Sequence, residues 1–367
     1  MPGSVGTTMP PDQPRYGGSG GRPPGGGRPA LVGRRRRPHW GRIALVGAVA
    51  LLLFVLAGIG GLYAYTSRLD SNIDRTDAFS EIVGDRPVKV AAGSLNILLL
   101  GTDSRDPEGA RGGAGAWRAD TIMLMHIPSA HDKAYLISIP RDLWVYIPPS
   151  ADGQAGDQEA KINASFAWGG VPLAVQAVEN YTGVRLDHVM MIDFAGFVDV
   201  TDALGGVDLQ IDQTITSIHR PFRTFEAGLN HLTGEEALDY IRQRYQFPDG
   251  DFTRVKNQQA FLKALLDKAV SSGTLTNPGR LNAFLQTATR TLTVDETFSL
   301  VDMALQFRNL RSDNLIFLTS PHNGTGAVGD QSVVFSNDEQ AATLYQAVRE
   351  DTMAQWAGEN GAEPSGG

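Results

Sequence analysis

The chain has 367 residues, of which 42% are hydrophobic and 20% charged, and its net charge at pH 7 is -8. This length is sufficient for one large globular domain or two small ones with appended segments. The chain has no Cys. This excludes a disulfide framework, a thiolate metal site and a cysteine nucleophile.

The first 42 residues form a basic arm rich in Gly, Pro and Ser. The arm contains eight Arg and one acidic residue, Asp12, so it carries +7 while the remaining chain carries -15. Because it lacks apolar periodicity, we expect the arm to be disordered. Basic arms also bind nucleic acid. Here the arm directly precedes an apolar segment, so membrane topology explains its charge and we expect no nucleic-acid partner.

Residues 43–65 are 23 consecutive uncharged residues, most of them apolar. A helix of this length spans a hydrocarbon core of roughly 30 Å. A cleaved signal peptide is the alternative, but its apolar core usually runs only about 7–15 residues. Arginines at 34–37 and 42 precede the segment, and the positive-inside rule then keeps the N-terminus in the cytoplasm. We therefore predict a single-pass cell-membrane protein whose residues 66–367 lie outside the membrane.

Beyond the anchor, the pattern predicts a polar connector at 66–94, a folded domain over 95–355 and a disordered tail at 356–367. Strands are predicted at 96–100, 121–127, 134–139, 188–193, 207–211 and 315–319. Helices are predicted at 172–181, from 195 to the Gly205-Gly206 pair, at 234–240, from 251 onward, at 279–290 and 295–310, and after a capping box at 336–339. This alternation indicates an α/β layered domain with a mixed central sheet.

Acidic and basic side chains lie at the end of the first strand of this domain, at the start of the second and at the end of the third. If these strands run up, down and up, the end of the first, the start of the second and the end of the third share one sheet edge. Asp103, Asp120 and Arg141 then lie within reach of one another. Asp carboxylates suit Mg²⁺, although a turn or cap role is the alternative for either. For Arg141 and Asp142, the alternative to a catalytic role is a structural ion pair.

The segment from Tyr240 to Tyr245 alternates with period two. We expect the preceding helix to stop near Tyr240 so that Arg242 and Arg244, in an extended segment, point the same way. Two such arginines repel unless an anion lies between them, and guanidinium groups bind phosphate bidentately. Arg254 and Gln258 share one face of the next helix. The set of cations suits a diphosphate.

Two further features have alternatives that stay open. Lys161 reaches the same anion in one interpretation and is a solvated lysine in the other. The apolar helices between residues 260 and 310 are interpreted as core, with the walls of a lipid tunnel as the alternative. The chain contains no P-loop and no Gly-x-Ser-x-Gly motif. Phosphoryl transfer needs positioning and charge stabilisation more than a nucleophilic side chain.

With these motifs assembled, the chain resembles the LytR-CpsA-Psr family of membrane-anchored cell-wall ligases. The resemblance covers roughly residues 95–270, in the blocks NILLLGTDSR, RADTIML, LISIPRDLWVYIP, KINASFAWGG, DALGGVDL, GLNHLTGEEALDYIRQRY and DFTRVKNQQ. It implies a three-layer α/β/α domain with a hydrophobic pocket for a prenyl chain. It also implies a phosphotransferase that moves a glycopolymer, as sugar phosphate, from a polyprenyl pyrophosphate carrier to peptidoglycan.

The resemblance also implies roles for individual residues. Asp103 and Asp120 match the family's metal ligands, for Mg²⁺ or alternatively Mn²⁺. The residues matching its pyrophosphate-binding set are Arg118, Arg141, Arg242, Arg244 and Arg254, with Gln258 alongside and Lys161 as a weaker match. Arg141 is the expected catalytic cation, and Asp142 or Asp103 the expected acceptor of the hydroxyl proton. One departure is Asn257, where the family usually has Arg.

Two other functions fit the same residues. A polyprenyl-pyrophosphate hydrolase would use this site with water as the acceptor. A non-catalytic lipid or glycopolymer receptor would bind the carrier without turnover and signal through the basic arm.

Overall fold

The computed structural model describes residues 64–102, 119–247, 251–271, 277–307 and 312–362. Its elements in chain order are α1 (residues 64–70), β1 (Asp74–Thr76), β2 (Leu95–Thr102), β3 (Ala119–Ile127), β4 (Ala134–Ile139), β5 (Leu143–Ile147), β6 (Gln158–Lys161), α2 (Asn163–Thr182), β7 (His188–Asp193), α3 (Phe194–Ala203), β8 (Val207–Ile211), β9 (Ile215–Thr216), β10 (Thr224–Phe225), β11 (Gly228–Leu232), α4 (Gly234–Ile241), α5 (Asp251–Ser271), α6 (Pro278–Thr291), β12 (Leu292–Asp295), α7 (Leu300–Phe307), a 3-10 turn (Ser312–Asn314), β13 (Leu315–Thr319), β14 (His322–Val328), β15 (Gln331–Ser336), α8 (Asp338–Arg349) and α9 (Met353–Glu359).

A seven-stranded mixed sheet forms the centre of the fold, in the order β1-β12-β7-β2-β3-β4-β13. Strand β3 is antiparallel to both β2 and β4, while β7 is parallel to β2 and β13 is parallel to β4. The end of β2, the start of β3 and the end of β4 therefore share one edge. This confirms the up, down and up arrangement that the sequence predicts.

Alternate residues of a strand point to opposite faces of a sheet. In the central sheet, apolar residues on both faces are buried. Leu98 and Leu100 of β2 join a core cluster that includes the side chains of α2, α8 and α9. Ile97 joins a second cluster, against which Leu262 and Leu266 of α5 pack. The mixed α/β fold that the sequence predicts is thus the observed one. Leu262 and Leu266 are half-buried, so the choice between core and the walls of a lipid tunnel stays open for α5.

A break divides helix α2 into two parts. Gly169 and Gly170 have non-helical backbone angles, and Gly170 has φ 65° and ψ -151°, a conformation essentially restricted to glycine. The second part, which begins near Pro172 and ends at a left-handed Gly183, matches the predicted helix at 172–181. The first part, from Asn163, was not predicted.

A second sheet of four strands, in the order β14-β15-β5-β6, packs beside the central one. Leu143, Val145 and Ile147 of β5 are buried in the same core cluster as the side chains of α2. On the opposite face of β5, Tyr146 is exposed. Strands β5, β6, β14 and β15 were not predicted from the sequence, because their short alternating runs follow turn residues and lack the continuous apolar character of the central strands.

The segment 66–94, predicted as a polar connector, contributes to the folded domain. It forms β1, which pairs with β12, and it buries Leu69, Ile73 and Ala78. Arg86 donates to the buried carboxylate of Glu179 in α2, with the shorter bond measuring 2.6 Å. Its apolar residues are too sparse to indicate this role, because the strand that pairs with β1 lies 219 positions later in the chain.

Three further boundaries differ from the prediction. The segment at 295–310 is not a continuous helix, since Asp295 ends β12 and accepts a bond from the backbone N–H of Thr297 before α7 begins. Helix α8 is capped by Asn337, which accepts from the backbone N–H of Gln340, and Ser336 belongs to β15. Helix α9 extends beyond residue 355 because Ala357 is buried in the core.

The predicted arm 1–42 and nearly all of the predicted anchor 43–65 lie outside the described residues. Within the described ranges, no helix combines the length and the apolar character needed to cross a membrane.

Candidate functional site

The edge formed by β3 and β4 carries an ion pair. Ile122 pairs with Ile139 in the antiparallel ladder, so continuing that register places Asp120 opposite Arg141. A guanidinium N–H of Arg141 donates to the carboxylate of Asp120. Both side chains are largely buried, with 14% of Arg141 and 28% of Asp120 exposed. The structure therefore brings together two of the side chains that the sequence analysis assigned to this edge.

Two further charged residues, Asp142 and Lys161, extend the ion pair of Asp120 and Arg141. Asp142 Oδ2 lies 3.7 Å from Arg141 Nε, and Asp142 Oδ1 lies 3.1 Å from Lys161 Nζ. Lys161 is placed there because it ends β6 and pairs with Trp144 of β5. The result is a row of alternating charges, Asp120, Arg141, Asp142 and Lys161. Lys161 is therefore part of the cluster, and its solvated alternative is not observed.

A cavity of about 530 Å³ opens beside this row. Its lining includes the following side chains from four parts of the chain: Arg141, Asp142, Trp144, Lys161, Trp168 and Arg244. The cations Arg141, Lys161 and Arg244 line it together with the carboxylates of Asp142 and Glu159. Guanidinium and ammonium groups around one partly enclosed space form an anion site, and several such groups suit the multiple oxygens of a phosphate chain.

The two arginines after α4 contact different aromatic rings. The helix ends at Ile241, as predicted, but Arg242 has φ -89° and ψ -10°, so the segment is not extended there. The guanidinium of Arg242 lies 4.5 Å from the ring centre of Phe194, whereas that of Arg244 lies over Tyr245 and lines the cavity. The extended conformation predicted for this segment is therefore not observed at Arg242, and the joint role of the two arginines stays a prediction.

Helix α5 is fixed against the same end of the sheet. The side-chain N–H₂ of Gln259 donates to Ser138 Oγ at 2.9 Å and to the carbonyl of Leu318 at 3.0 Å. These bonds hold α5 beside the ends of β4 and β13. Arg254 lies on this helix and is only 6% exposed, and Gln258 is half-buried. No role was predicted for Gln259 from the sequence, although it belongs to the block DFTRVKNQQ.

Asn257, which replaces the family's usual arginine, lies next to Tyr240. Its side-chain oxygen accepts a bond of 3.5 Å from the tyrosine hydroxyl. Burial raises the pKa of Tyr240 to about 12, so this hydroxyl stays protonated and acts as a donor.

Asp103 and Arg118 lie outside the described residues, so their predicted roles remain predictions. In the described part of the chain, no three His, Asp or Glu side chains gather in a manner that would hold a metal ion. Asp120 is the described member of the predicted ligand pair. Its carboxylate is partly exposed beside the cation cluster, and a hard oxygen donor in this setting fits Mg²⁺.

The fold and this site define an α/β protein with a cation-lined cavity suited to phosphate groups. The LytR_cpsA_psr family model matches residues 64–353. The chain belongs to this family.

Several characterised proteins and solved structures are similar to the chain. It is 36% identical over 321 residues to the probable cell wall biosynthesis protein LcpB of Corynebacterium glutamicum, covering 84% of this chain and 70% of that protein. It is 32% identical over 275 residues to the polyisoprenyl-teichoic acid–peptidoglycan teichoic acid transferase TagU of Bacillus cereus, covering 70% and 84%. The crystal structure of B. subtilis TagV superposes with a TM-score of 0.59 at 25% identity, covering 71% of this chain and 98% of TagV.

Proposed function

We propose that this protein is a membrane-anchored phosphotransferase of cell-wall assembly. It takes a glycopolymer carried on polyprenyl pyrophosphate and transfers it, as sugar phosphate, to peptidoglycan. The observation that carries the proposal is the row Asp120, Arg141, Asp142 and Lys161 at the cavity, in a chain that belongs to a family with a named teichoic acid transferase.

The geometry supports binding of a pyrophosphate. Arg141, Lys161 and Arg244 come from three separate segments of the chain and line the same cavity. Cations held in this way need no rearrangement when charge develops on the phosphate oxygens, and such preorganised groups stabilise phosphoryl-transfer transition states.

The proposed reaction is a displacement at phosphorus. A hydroxyl of peptidoglycan attacks the phosphorus nearer the sugar, the new O–P bond forms, and the bridging P–O bond of the pyrophosphate breaks. Polyprenyl phosphate leaves with the electron pair of that bond. The hydroxyl proton passes to a carboxylate, and Asp142 is the described candidate because it borders the cavity between Arg141 and Lys161.

We propose that Asp120, with Asp103, holds a Mg²⁺ ion, with Mn²⁺ as the alternative. When bound, the ion would neutralise part of the charge of the pyrophosphate.

The residues 43–65 are proposed as the anchor that keeps the catalytic domain outside the cell membrane, where both the lipid carrier and peptidoglycan are accessible.

The test uses the full-length chain in detergent with a polyprenyl-pyrophosphate-linked oligosaccharide, Mg²⁺ and peptidoglycan, followed by mass spectrometry of the products. We expect sugar phosphate on peptidoglycan, lost in Arg141→Ala and retained in Arg290→Ala. Arg290 is the matched control because it is an exposed arginine of α6 outside the cavity lining.

Three outcomes would contradict the proposal. Free sugar phosphate formed at the same rate without peptidoglycan would identify a hydrolase. Bound carrier that is never turned over would identify a receptor. Near-normal transfer by Arg141→Ala would exclude this cavity as the site.

A further inference from the structure

The outer face of the four-stranded sheet carries aromatic side chains beside the cavity. Trp144 and Tyr146 alternate with the buried residues of β5, so both point outward. Phe335 of β15 is paired in register with Trp144. Tyr146 is 42% exposed and Phe335 38% exposed. We call Trp144, Tyr146 and Phe335 the aromatic face.

This face is continuous with the candidate site. Trp144 lines the cavity that contains Arg141 and Lys161, and Tyr146 lines a second cavity of about 560 Å³ on the other side. Residues two apart on a strand are separated by about 6.6 Å, and neighbouring strands by about 4.8 Å. Trp144 and Tyr146 therefore connect the linings of the two cavities along one strand.

Hydrogen bonds fix the two rings of β5. The indole N–H of Trp144 donates to Glu159 at 3.2 Å, and the hydroxyl of Tyr146 donates to Asp157 at 2.6 Å. Glu159 pairs with Tyr146 across the strands, and Lys161 pairs with Trp144. The aromatic rings are thus bordered along one side by charged groups that both donate and accept hydrogen bonds.

We propose that the aromatic face binds a glycan strand of the peptidoglycan acceptor, an inference that rests on the proposed function. A sugar ring has an apolar C–H face, which packs on an aromatic ring, and a rim of hydroxyls, which bonds to groups such as Glu159 and Lys161. The row of exposed rings with polar borders provides both kinds of contact.

The acceptor is the occupant that this position favours. The donor sugar is covalently attached to the pyrophosphate, so the cations of the cavity already fix its position. An acceptor strand has no such attachment, and contacts with the protein alone must bring its hydroxyl to the phosphorus.

The experiment measures the dissociation constant of the full-length protein for soluble peptidoglycan fragments by calorimetry. Tyr146→Ala and Phe335→Ala should each raise the Kd about 10-fold, as truncation of an aromatic anchor in an interface does. Tyr146→Phe keeps the ring and should bind nearly as well as wild type. Phe222→Ala is the matched control, since Phe222 is a 54% exposed aromatic residue outside both cavity linings.

A second measurement follows binding of the lipid-linked donor by the same variants. Unchanged donor affinity with weakened fragment binding supports the proposal. Fragment binding equal to wild type in both Ala variants would overturn it, and so would a loss of donor affinity alone, which would assign the face to the donor glycopolymer.

These results are distinguishable from a failure of the proposed function. If Tyr146→Ala weakens fragment binding while wild type never transfers sugar phosphate, the acceptor surface stands and the transferase fails. If transfer by both Ala variants is normal at limiting acceptor, the transferase stands and the aromatic face is not its acceptor surface.

Discussion

Asp120 and Arg141 lie opposite each other where β3 begins and β4 has ended, and the carboxylate of Asp120 accepts a hydrogen bond from the guanidinium of Arg141. The pair is formed by the antiparallel register, which brings positions 21 residues apart in the chain face to face. It holds the guanidinium at the cavity, where the pyrophosphate is proposed to bind.

Replacing Asp120 with Asn should reduce the transfer rate about 100-fold, the scale found for loss of one group that positions charge in a transition state. The substitution removes the negative partner of Arg141 and a proposed metal ligand with little change in shape. The matched control is Asp70→Asn, because Asp70 pairs with Arg75 at 3.0 Å on the surface. An unchanged rate in Asp120→Asn, measured with the fold verified by circular dichroism, would contradict the assigned role.

Arg242 and Arg244 should differ in their effect on donor binding. Arg244→Ala should raise the Kd for the lipid-linked pyrophosphate about 10-fold or more, since a hydrogen bond to a charged group contributes about 1.5–3 kcal/mol. Arg242→Ala should have a much smaller effect, because Arg242 lies over Phe194 and outside the cavity lining. Equal losses of affinity in the two variants, measured by calorimetry, would show that both arginines contact the pyrophosphate, as the period-two pattern predicts.

The ion pair between Arg86 and Glu179 should stabilise the domain. Glu179 is 3% exposed, and its carboxylate also accepts from the backbone N–H of Leu186. Arg86→Ala should lower the free energy of unfolding by about 3 kcal/mol, because it leaves a buried carboxylate without its cation. Lys89→Ala is the control; its pair with Asp187 is more exposed and should contribute at most about 1 kcal/mol. Urea denaturation measures both, and equal small effects would contradict the prediction.

His126 should make stability depend on pH. Burial lowers its pKa from 6.5 to about 4, against the opposing effect of Asp351. Between these values the unfolded chain binds a proton that the folded chain does not, so stability is complete above about pH 6.5 and is lost as the pH falls toward 4. The loss approaches about 3 kcal/mol.

The measurement is the free energy of unfolding in urea at several pH values from 4 to 7. His126→Asn should flatten the dependence, while His219→Asn, at a half-exposed position, should keep it. A slope in His126→Asn equal to that of wild type would assign the pH dependence to other groups.

The long-range pairing of the central strands followed from the sequence because their apolar runs are continuous. Leu95–Thr102, Ala119–Ile127 and Ala134–Ile139 follow one another along the chain, and such strands are buried on both faces. The contact of Asp120 with Arg141 was predictable for the same reason. Lys161 was uncertain because the strand that positions it, β6, has no clear pattern of its own.

The sequence by itself determined the family, five of the seven strands of the central sheet and the identity of the charged residues, since these depend on local patterns and ordered motifs. Only the tertiary structure placed Arg242 and Arg244 over different aromatic rings. It also placed Gln259 against Ser138, made residues 66–94 part of the fold and brought Phe335 beside Trp144. The physical reason is that each of these relations depends on the direction of a side chain or on pairing between distant segments. Neither is encoded in the spacing of neighbouring residues.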